Sequence, residues 1–403
     1  MDKIRLWILR KYEQIVSSIA FLPAIISLGF FILSAILFNF DISETGQQLK
    51  EELPFLSLKD SSTARSILDA IVGGVISLTV FSFSMVMIVL NQAASQMSNR
   101  ILDKLIGNRF QQIVLGFYIG TIIYSFFIFS TIRDTESRIQ IPSISIFILT
   151  VLTVLDLFIF IYFLHFITQS VKYEVIIKRI KSTTYHGMKN FCVENKEPET
   201  AHAFASVQII RANKSGIFEG YDSKQIMNFC EENECSLLAM HPMGTFILRG
   251  QPVFKCSREI PEDQIENALQ GVIFSDQESV ERNYEYGLRQ LSEIALKALS
   301  PGVNDPGTAI IGFRELMDLF QFRGLNFPAN SIRREGLPFH VIRKEHSFDT
   351  LFERVIYPIW DYGQNDRMLI HEFNLLVEQL SLIVSSDAVF KLLKMVRSKR
   401  ESL

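Results

Sequence analysis

Four apolar runs dominate the first 170 positions: Ile19–Phe40, Ile67–Leu90, Ile113–Ile132 and Ile144–Ile167. Each has the length of about 20 residues that a helix needs to cross the hydrocarbon core. Backbone polar groups in lipid must be satisfied within the segment, so such runs predict helices rather than open strands. The pattern changes after Gln169, where apolar and polar positions alternate as they do in a water-exposed chain. The expected architecture is a multi-pass α-helical membrane protein with four spans and a cytosolic α+β tail. Its predicted parts are a four-helix transmembrane domain over residues 1–170, a β-rich module over 171–257 and a mainly helical domain over 258–403.

Within the tail, an apolar stretch at Ala203–Arg211 and a short one at Ile217–Tyr221 predict strands. Asp222 then stands three residues before Gln225, the spacing of a capping box, and predicts a helix through about Asn233. Two further strands are expected at Ser236–Met240 and Thr245–Leu248, and Arg249-Gly250 turns the chain into Gln251–Cys256. The segment Gly244–Phe254 reads as half of a lipoyl-type barrel hairpin without a modifiable Lys at its tip, so a small barrel-like platform is expected and a swinging-arm carrier is not. Beyond Pro261 helical spacings prevail. Gln277–Leu299 places Tyr284, Leu288, Leu291, Ile294 and Leu299 on one face. Ser300, Pro301 and Gly302 stop that helix, and Asn304 or Asp305 caps the next one, with Pro306 in its first turn, where the missing N–H costs nothing. Free N–H groups near Thr308 offer an anion site, unless Asp305 occupies them itself.

Charge gives an orientation. Lys3, Arg5, Arg10 and Lys11 precede the first span; Arg100, Lys104 and Arg109 separate the second and third; Lys172, Lys178, Arg179 and Lys181 follow the fourth. The loop Asp41–Arg65 is instead acidic on balance. The positive-inside rule therefore predicts an inner-membrane protein with both termini cytoplasmic. The first apolar run is too long for a signal-peptide core and has no small-residue cleavage site after it. A cytosolic tail keeps its four cysteines as thiols. A net charge of −3 speaks against nucleic acid as a partner.

Two features of the spans carry candidate chemistry. Asp69, Gly73, Ser77, Ser84, Asn91 and Ser95, with Ser98 beyond, recur mostly at spacings of four and seven and share one helix face. That face lines a pore, faces a partner subunit or packs closely on a neighbouring helix, as small residues in membranes do. The pattern runs past Leu90 without a break, so the helix is expected to project from the bilayer. Asp156 sits near the middle of the fourth span, where an ionisable group is costly and marks a functional position. Thr79, Ser82 and Tyr124 are its candidate partners, and His165, near the inner end, is read as able to share its side of the helix.

Three segments resemble one family. Asn91–Leu102 (NQAASQMSNRIL) is similar to an ASSQFSPRLL segment after the second span, Gly287–Ala309 to the signature DIALRALSPGINDPFTA, and Leu164–Ile167 to FIHHIA at the end of the fourth span. These belong to a bacterial family of predicted membrane proteins of unknown function, DUF2254. Asn99 stands where that pattern has Pro, and Phe166 replaces its second His. The resemblance implies the architecture and no established activity.

Enzyme signals are weak in the sequence: it has no phosphate-binding Walker loop, no nucleophile elbow and no HExxH helix. Cys230, Cys235, His241 and Cys256 lack the compact spacing of a zinc site, so no metal and no cofactor are expected. The leading expectation is an oligomeric, channel-like conduit for ions or small solutes, not an enzyme, gated by its cytosolic part. The alternatives are a membrane-anchored sensor or scaffold that binds a cytosolic partner, and a proton-coupled transporter using Asp156 and His165.

Overall fold

In the computed structural model, residues 20–58, 60–96, 109–132, 141–170, 172–194, 204–275, 278, 280, 282–334 and 336–402 are described. The chain divides into two compact units that part between Lys172 and Tyr173.

The first unit contains four helices long and apolar enough to cross a membrane. They are α1 (Phe21–Ile42), α3 (Ser61–Gln96), α4 (Arg109–Thr131) and α5 (Ser143–Ser170), with a short α2 (Glu44–Glu52) after α1. Helices α1 and α4 pack closely. A methyl group on Gly116 would meet Ile26 at 2.8 Å, and one on Gly120 would meet the Phe30 ring at 2.7 Å. Gly116 and Gly120 thus form a small-xxx-small contact that lets two membrane helices touch along their backbones. Phe30 also packs edge-on against Phe117, with ring centroids 5.4 Å apart.

Helix α3 has 36 residues and is about 54 Å long at 1.5 Å per residue. That exceeds the hydrocarbon thickness of about 30 Å, in keeping with the expected projection. Asp60 caps its start, accepting from the Thr63 N–H at 3.0 Å and from the Ser62 and Thr63 hydroxyls. Those bonds hold its carboxyl at about 2, below the usual range. Ala64, Leu68, Ile71 and Val75 are buried at three- and four-residue spacings and define the inward face.

The second unit joins a sheet module to a helical bundle. Its elements begin with α6 (Tyr173–Phe191), β1 (Cys192–Glu194), β2 (Gln208–Arg211), β3 (Gly216–Tyr221), α7 (Ser223–Glu232), β4 (Leu237–Ala239), β5 (Thr245–Ile247) and β6 (Pro252–Cys256). They continue with α8 (Glu262–Gln270), β7 (Val272–Ser275), α9 (Tyr284–Ala298), α10 (Pro306–Leu325), β8 (Phe327–Pro328), β9 (Ser331–Arg333) and β10 (His340–Ile342), then α11 (Phe348–Gly363), α12 (Arg367–Ile383) and α13 (Asp387–Glu401). The Asp222 cap is present as its spacing predicts, accepting from the N–H groups of Lys224 and Gln225, each at 2.9 Å.

No barrel closes among the described residues. The strands form an open five-stranded sheet in the order β2-β6-β4-β10-β9, a three-stranded sheet β5-β3-β7 and the pair β1-β8. The hairpin expected across Arg249-Gly250 is not made. β5 pairs with β3, whereas β6 pairs with β2 and β4. Gly250, at φ +84, carries the chain from one sheet to the other while its N–H donates to Ala212 O at 2.8 Å. A turn fixes a change of direction and says nothing of which sheet receives the next strand. The five-stranded sheet is completed from far along the chain: β10 lies parallel to β4 through Val341 and Leu237. The regions before and after residue 257 therefore share one sheet, packed around buried Ile210, Phe218, Leu237, Phe254 and Val341.

Helix α9 starts after Asn283, whose side chain accepts from Glu285 N at 3.0 Å, so it is shorter than the predicted Gln277–Leu299 segment. Gln277 itself lies outside the described residues.

Candidate functional site

The polar stripe of the second span lies on the surface of the unit. Asp69, Gly73, Ser77, Ser84 and Asn91 are all exposed, opposite the buried Leu68, Ile71 and Val75 face. A methyl group added at Gly73 would find nothing within 4 Å. The stripe is thus not a packing seam against the other spans of its own chain. Ser77 and Ser84 each donate to the carbonyl four residues back, at 2.7 and 2.8 Å. Asp69 accepts from no donor among the described residues. The Ser95 side chain and Ser98 lie outside the described residues.

Asp156 points the other way, into the helix core, where it is fully buried. It lies beside Thr121, while Tyr118 lies beside Ser82 and within electrostatic reach of Asp156. None of these close approaches reaches hydrogen-bond geometry: both Asp156 oxygens and the Ser82, Tyr118 and Thr121 hydroxyls are buried without a partner among the described residues. Unpaired polar groups in an apolar interior are costly, the Asp156 carboxyl most of all. Three helices therefore converge on one buried polar cluster around Asp156. Of the expected partners, Ser82 belongs to this cluster. Tyr124 instead donates to Ser145 O at 3.0 Å, and Thr79 to Val75 O at 2.7 Å.

His165 does not share the side of Asp156; it is exposed. Nine residues at about 100° each leave two helical positions on opposite faces, so the spacing itself separates them.

A buried acid that the sequence reading counts only as loop charge ties the spans together. Asp41, at the end of α1, is 2% exposed. Its carboxylate accepts from Ile144 N at 3.1 Å, Ser145 N at 2.7 Å and the Ser145 hydroxyl at 2.5 Å. The Lys50 ammonium lies 3.3 Å away and also donates to Asp41 O at 2.9 Å. Helix α5 has no acid in its own first turn. Asp41 supplies that negative charge from another helix, at the end where unpaired N–H groups and the helix dipole favour it.

In the second unit, the signature segment Ser300–Thr308 is a capped corner between α9 and α10. Asp305 accepts from Thr308 N at 3.1 Å and from its hydroxyl at 2.6 Å, and Pro306 occupies the first helical turn. Asp305 N donates to Ala298 O at 2.8 Å, Ser300 Oγ donates to Lys297 O, and Asn304 adopts φ +50. Pro301 and Gly302 are exposed at the tip. Asp305 thus occupies N–H groups that an anion would need.

The sheet core holds Cys230, Cys235 and Cys256, with Cys235 in contact with the other two thiols. The Cys230 contact and burial push Cys235 up to about 12. His241 lies apart from them along a surface cleft. Among the described residues no three His, Cys, Asp or Glu side chains are gathered to hold a metal ion.

Comparison with known proteins agrees with the membrane architecture. Uncharacterized proteins of Mycobacterium tuberculosis and Mycobacterium bovis are 26% identical to the chain over 264 residues, covering 61% of it and 50% of each relative. The chain thus spans about half the length of the curated relatives it matches. No solved structure matches it. The family model described as "Predicted membrane protein (DUF2254)" matches residues 16–377, and on that extent the chain belongs to the DUF2254 family of predicted membrane proteins.

Proposed function

We propose that the chain is one subunit of an oligomeric inner-membrane conduit for ions or small solutes, with the exposed stripe of α3 facing the symmetry axis. The observation that carries this reading is the outward-facing row of Asp69, Gly73, Ser77, Ser84 and Asn91 on a membrane-spanning helix. Ionisable groups in such helices face protein or water rather than lipid. Since the row turns away from its own chain, its cover comes from further copies or from a water path between them. Gly73 and Ser77 allow close approach of copies, and rings of Ser and Asp side chains supply polar positions along an axis. The basic residues before the first span, between the second and third and after the fourth support a cytoplasmic tail, to which this reading gives the regulation of opening. Flux into liposomes carrying the purified protein tests this: Ser84→Leu reduces flux while leaving the protein folded, and unchanged flux removes Ser84 from the axis.

A membrane-anchored sensor is the second reading. It is favoured by the size of the unit after Lys172, which has its own core. A folded full-length protein that binds a cytosolic ligand and passes no solute supports it.

A further inference from the structure

Among the described residues of the second unit, all the buried side-chain polar atoms without a hydrogen-bond partner gather at one place. They are Glu219 Oε2, Tyr221 OH, His241 Nε2, Asn283 Nδ2 and Arg289 Nε. Each residue lines one of two cavities, of about 380 and about 570 Å³. The cavities share His241, Met243, Lys344 and Glu345 in their walls and so form one cleft. It lies between the β3 sheet, the loop that follows β10 and the start of α9. Its size falls in the range of small-molecule sites, about 300–1,000 Å³.

The cleft offers three kinds of contact. Phe191, Phe218, Tyr221, Met243 and Ile273 give the first cavity an aromatic and apolar wall. Arg282, Arg343 and Lys344 line the same cavity and make no close ion pair among the described residues, with Arg282 within electrostatic reach of Glu219 and Arg343 of Tyr221 and Glu345. Glu219 is 6% exposed; its Oε1 accepts from the Tyr286 hydroxyl at 2.7 Å, which leaves Oε2 as a free acceptor. The nearby Arg282 charge does not offset the burial, and Glu219 stays above the ordinary carboxyl range. Asn283, 1% exposed, uses its oxygen to cap α9 and has its Nδ2 left over in the second cavity. Three further polar groups of the second cavity engage one another: Glu285, His346 and Arg354 form a chain of contacts at 2.9 and 2.8 Å.

We propose that this cleft binds a nucleoside phosphate. Arg282, Arg343 and Lys344 hold its phosphates, and the base lies on the Phe218–Tyr221 wall with an N–H donated to Glu219 Oε2. An amino acid or inorganic anion fills too little of the cleft and leaves either the carboxyl or the apolar wall unused. A neutral apolar ligand leaves the excess of positive charge and the buried carboxyl oxygen unanswered, which costs affinity. The cleft lies within a single compact unit, so the inference does not depend on whether the protein conducts.

The test is calorimetric titration of the full-length protein in nanodiscs with ATP, GTP, AMP, GMP and inorganic tripolyphosphate. At least one nucleotide binds, and Arg343→Ala with Lys344→Ala weakens it by about tenfold or more, as expected for loss of charge-assisted hydrogen bonds. Glu219→Gln changes the ranking of bases and leaves tripolyphosphate unaffected. Glu231→Gln, at the surface ion pair with Arg334, leaves binding unchanged and controls for folding. Three results overturn the proposal: no nucleotide binding to folded protein at millimolar concentration, tripolyphosphate binding as tightly as the nucleotides, or binding indifferent to both the Arg343/Lys344 and Glu219 substitutions.

Discussion

Asp41→Ala removes the one carboxylate that joins the end of α1 to the start of α5. The wild-type group receives three donors from Ile144 and Ser145 and lies 3.3 Å from Lys50. Alanine leaves two backbone N–H groups of α5 without acceptors, and loss of a helix cap costs about 0.5–2 kcal/mol. It also deprives Lys50 of its counter-ion. Breaking a fully buried pair costs about 3–5 kcal/mol, but Lys50 is 19% exposed and part of that loss is recovered by water. The combined cost is about 3 kcal/mol, or about 6–12 °C in Tm for a unit of this size. Asp41→Asn keeps an acceptor for the N–H groups and loses only the charge, so it costs about half as much. Lys50→Met alone costs about 1 kcal/mol and does not add to Asp41→Ala, because the two act on one interaction. Thermal loss of helical circular dichroism in nanodiscs measures the parent, the three single variants and the Asp41→Ala/Lys50→Met double variant. An Asp41→Ala melting curve that overlays the parent, or strict additivity with Lys50→Met, refutes the buried lock.

Three further substitutions probe other parts of the account. Gly120→Leu drives a side chain into Phe30 and costs about 1–3 kcal/mol by overpacking, seen as a lower Tm in the same assay; an unchanged Tm argues against the α1–α4 contact. Asp305→Ala costs about 1–2 kcal/mol by removing the cap of α10, and hydrogen exchange at Thr308 accelerates, whereas unchanged protection contradicts the corner. Burial and the Glu285 charge hold Glu345 at about 7 despite Arg343, Arg323 and His346, so its ionised form opposes folding. Glu345→Gln therefore leaves stability unchanged below about pH 4.5. Its benefit grows as the pH rises and levels above pH 7 at about 2–3 kcal/mol. Chemical denaturation across that pH window reads it, and a gain that is the same at every pH sinks the assignment.

The spans are legible because lipid imposes length and apolarity on each of them separately, and α3 runs through Asn91 to Gln96 as its unbroken pattern predicts. Caps are equally local, which is why Asp222 and Asp305 sit where their spacing puts them. What depends on distant partners is not legible in this way. Asp41 meets Ser145 only because two helix ends converge, and nothing in either segment names the other. The barrel expectation fails for the same reason: Thr245–Ile247 and Pro252–Cys256 are adjacent in sequence yet join different sheets, and β10 enters from far downstream. The cleft combines Glu219, Asn283 and Lys344 from three separate segments and carries no motif. Two features were readable. Gly116 and Gly120 stand at the spacing of a helix contact. The nine-residue step from Asp156 to His165 already places them on opposite faces.

Single-channel current from the full-length protein in a planar bilayer, with Ser77→Cys and Ser84→Cys exposed to a charged, membrane-impermeant thiol reagent, tests the central claim most directly. The four native cysteines are buried, so the parent serves as an unreactive control. The account predicts discrete conductance in all three proteins and block by the reagent in the two variants alone. Silence from folded, oriented protein across voltage, tension and pH, or current in both variants indifferent to the reagent, contradicts it.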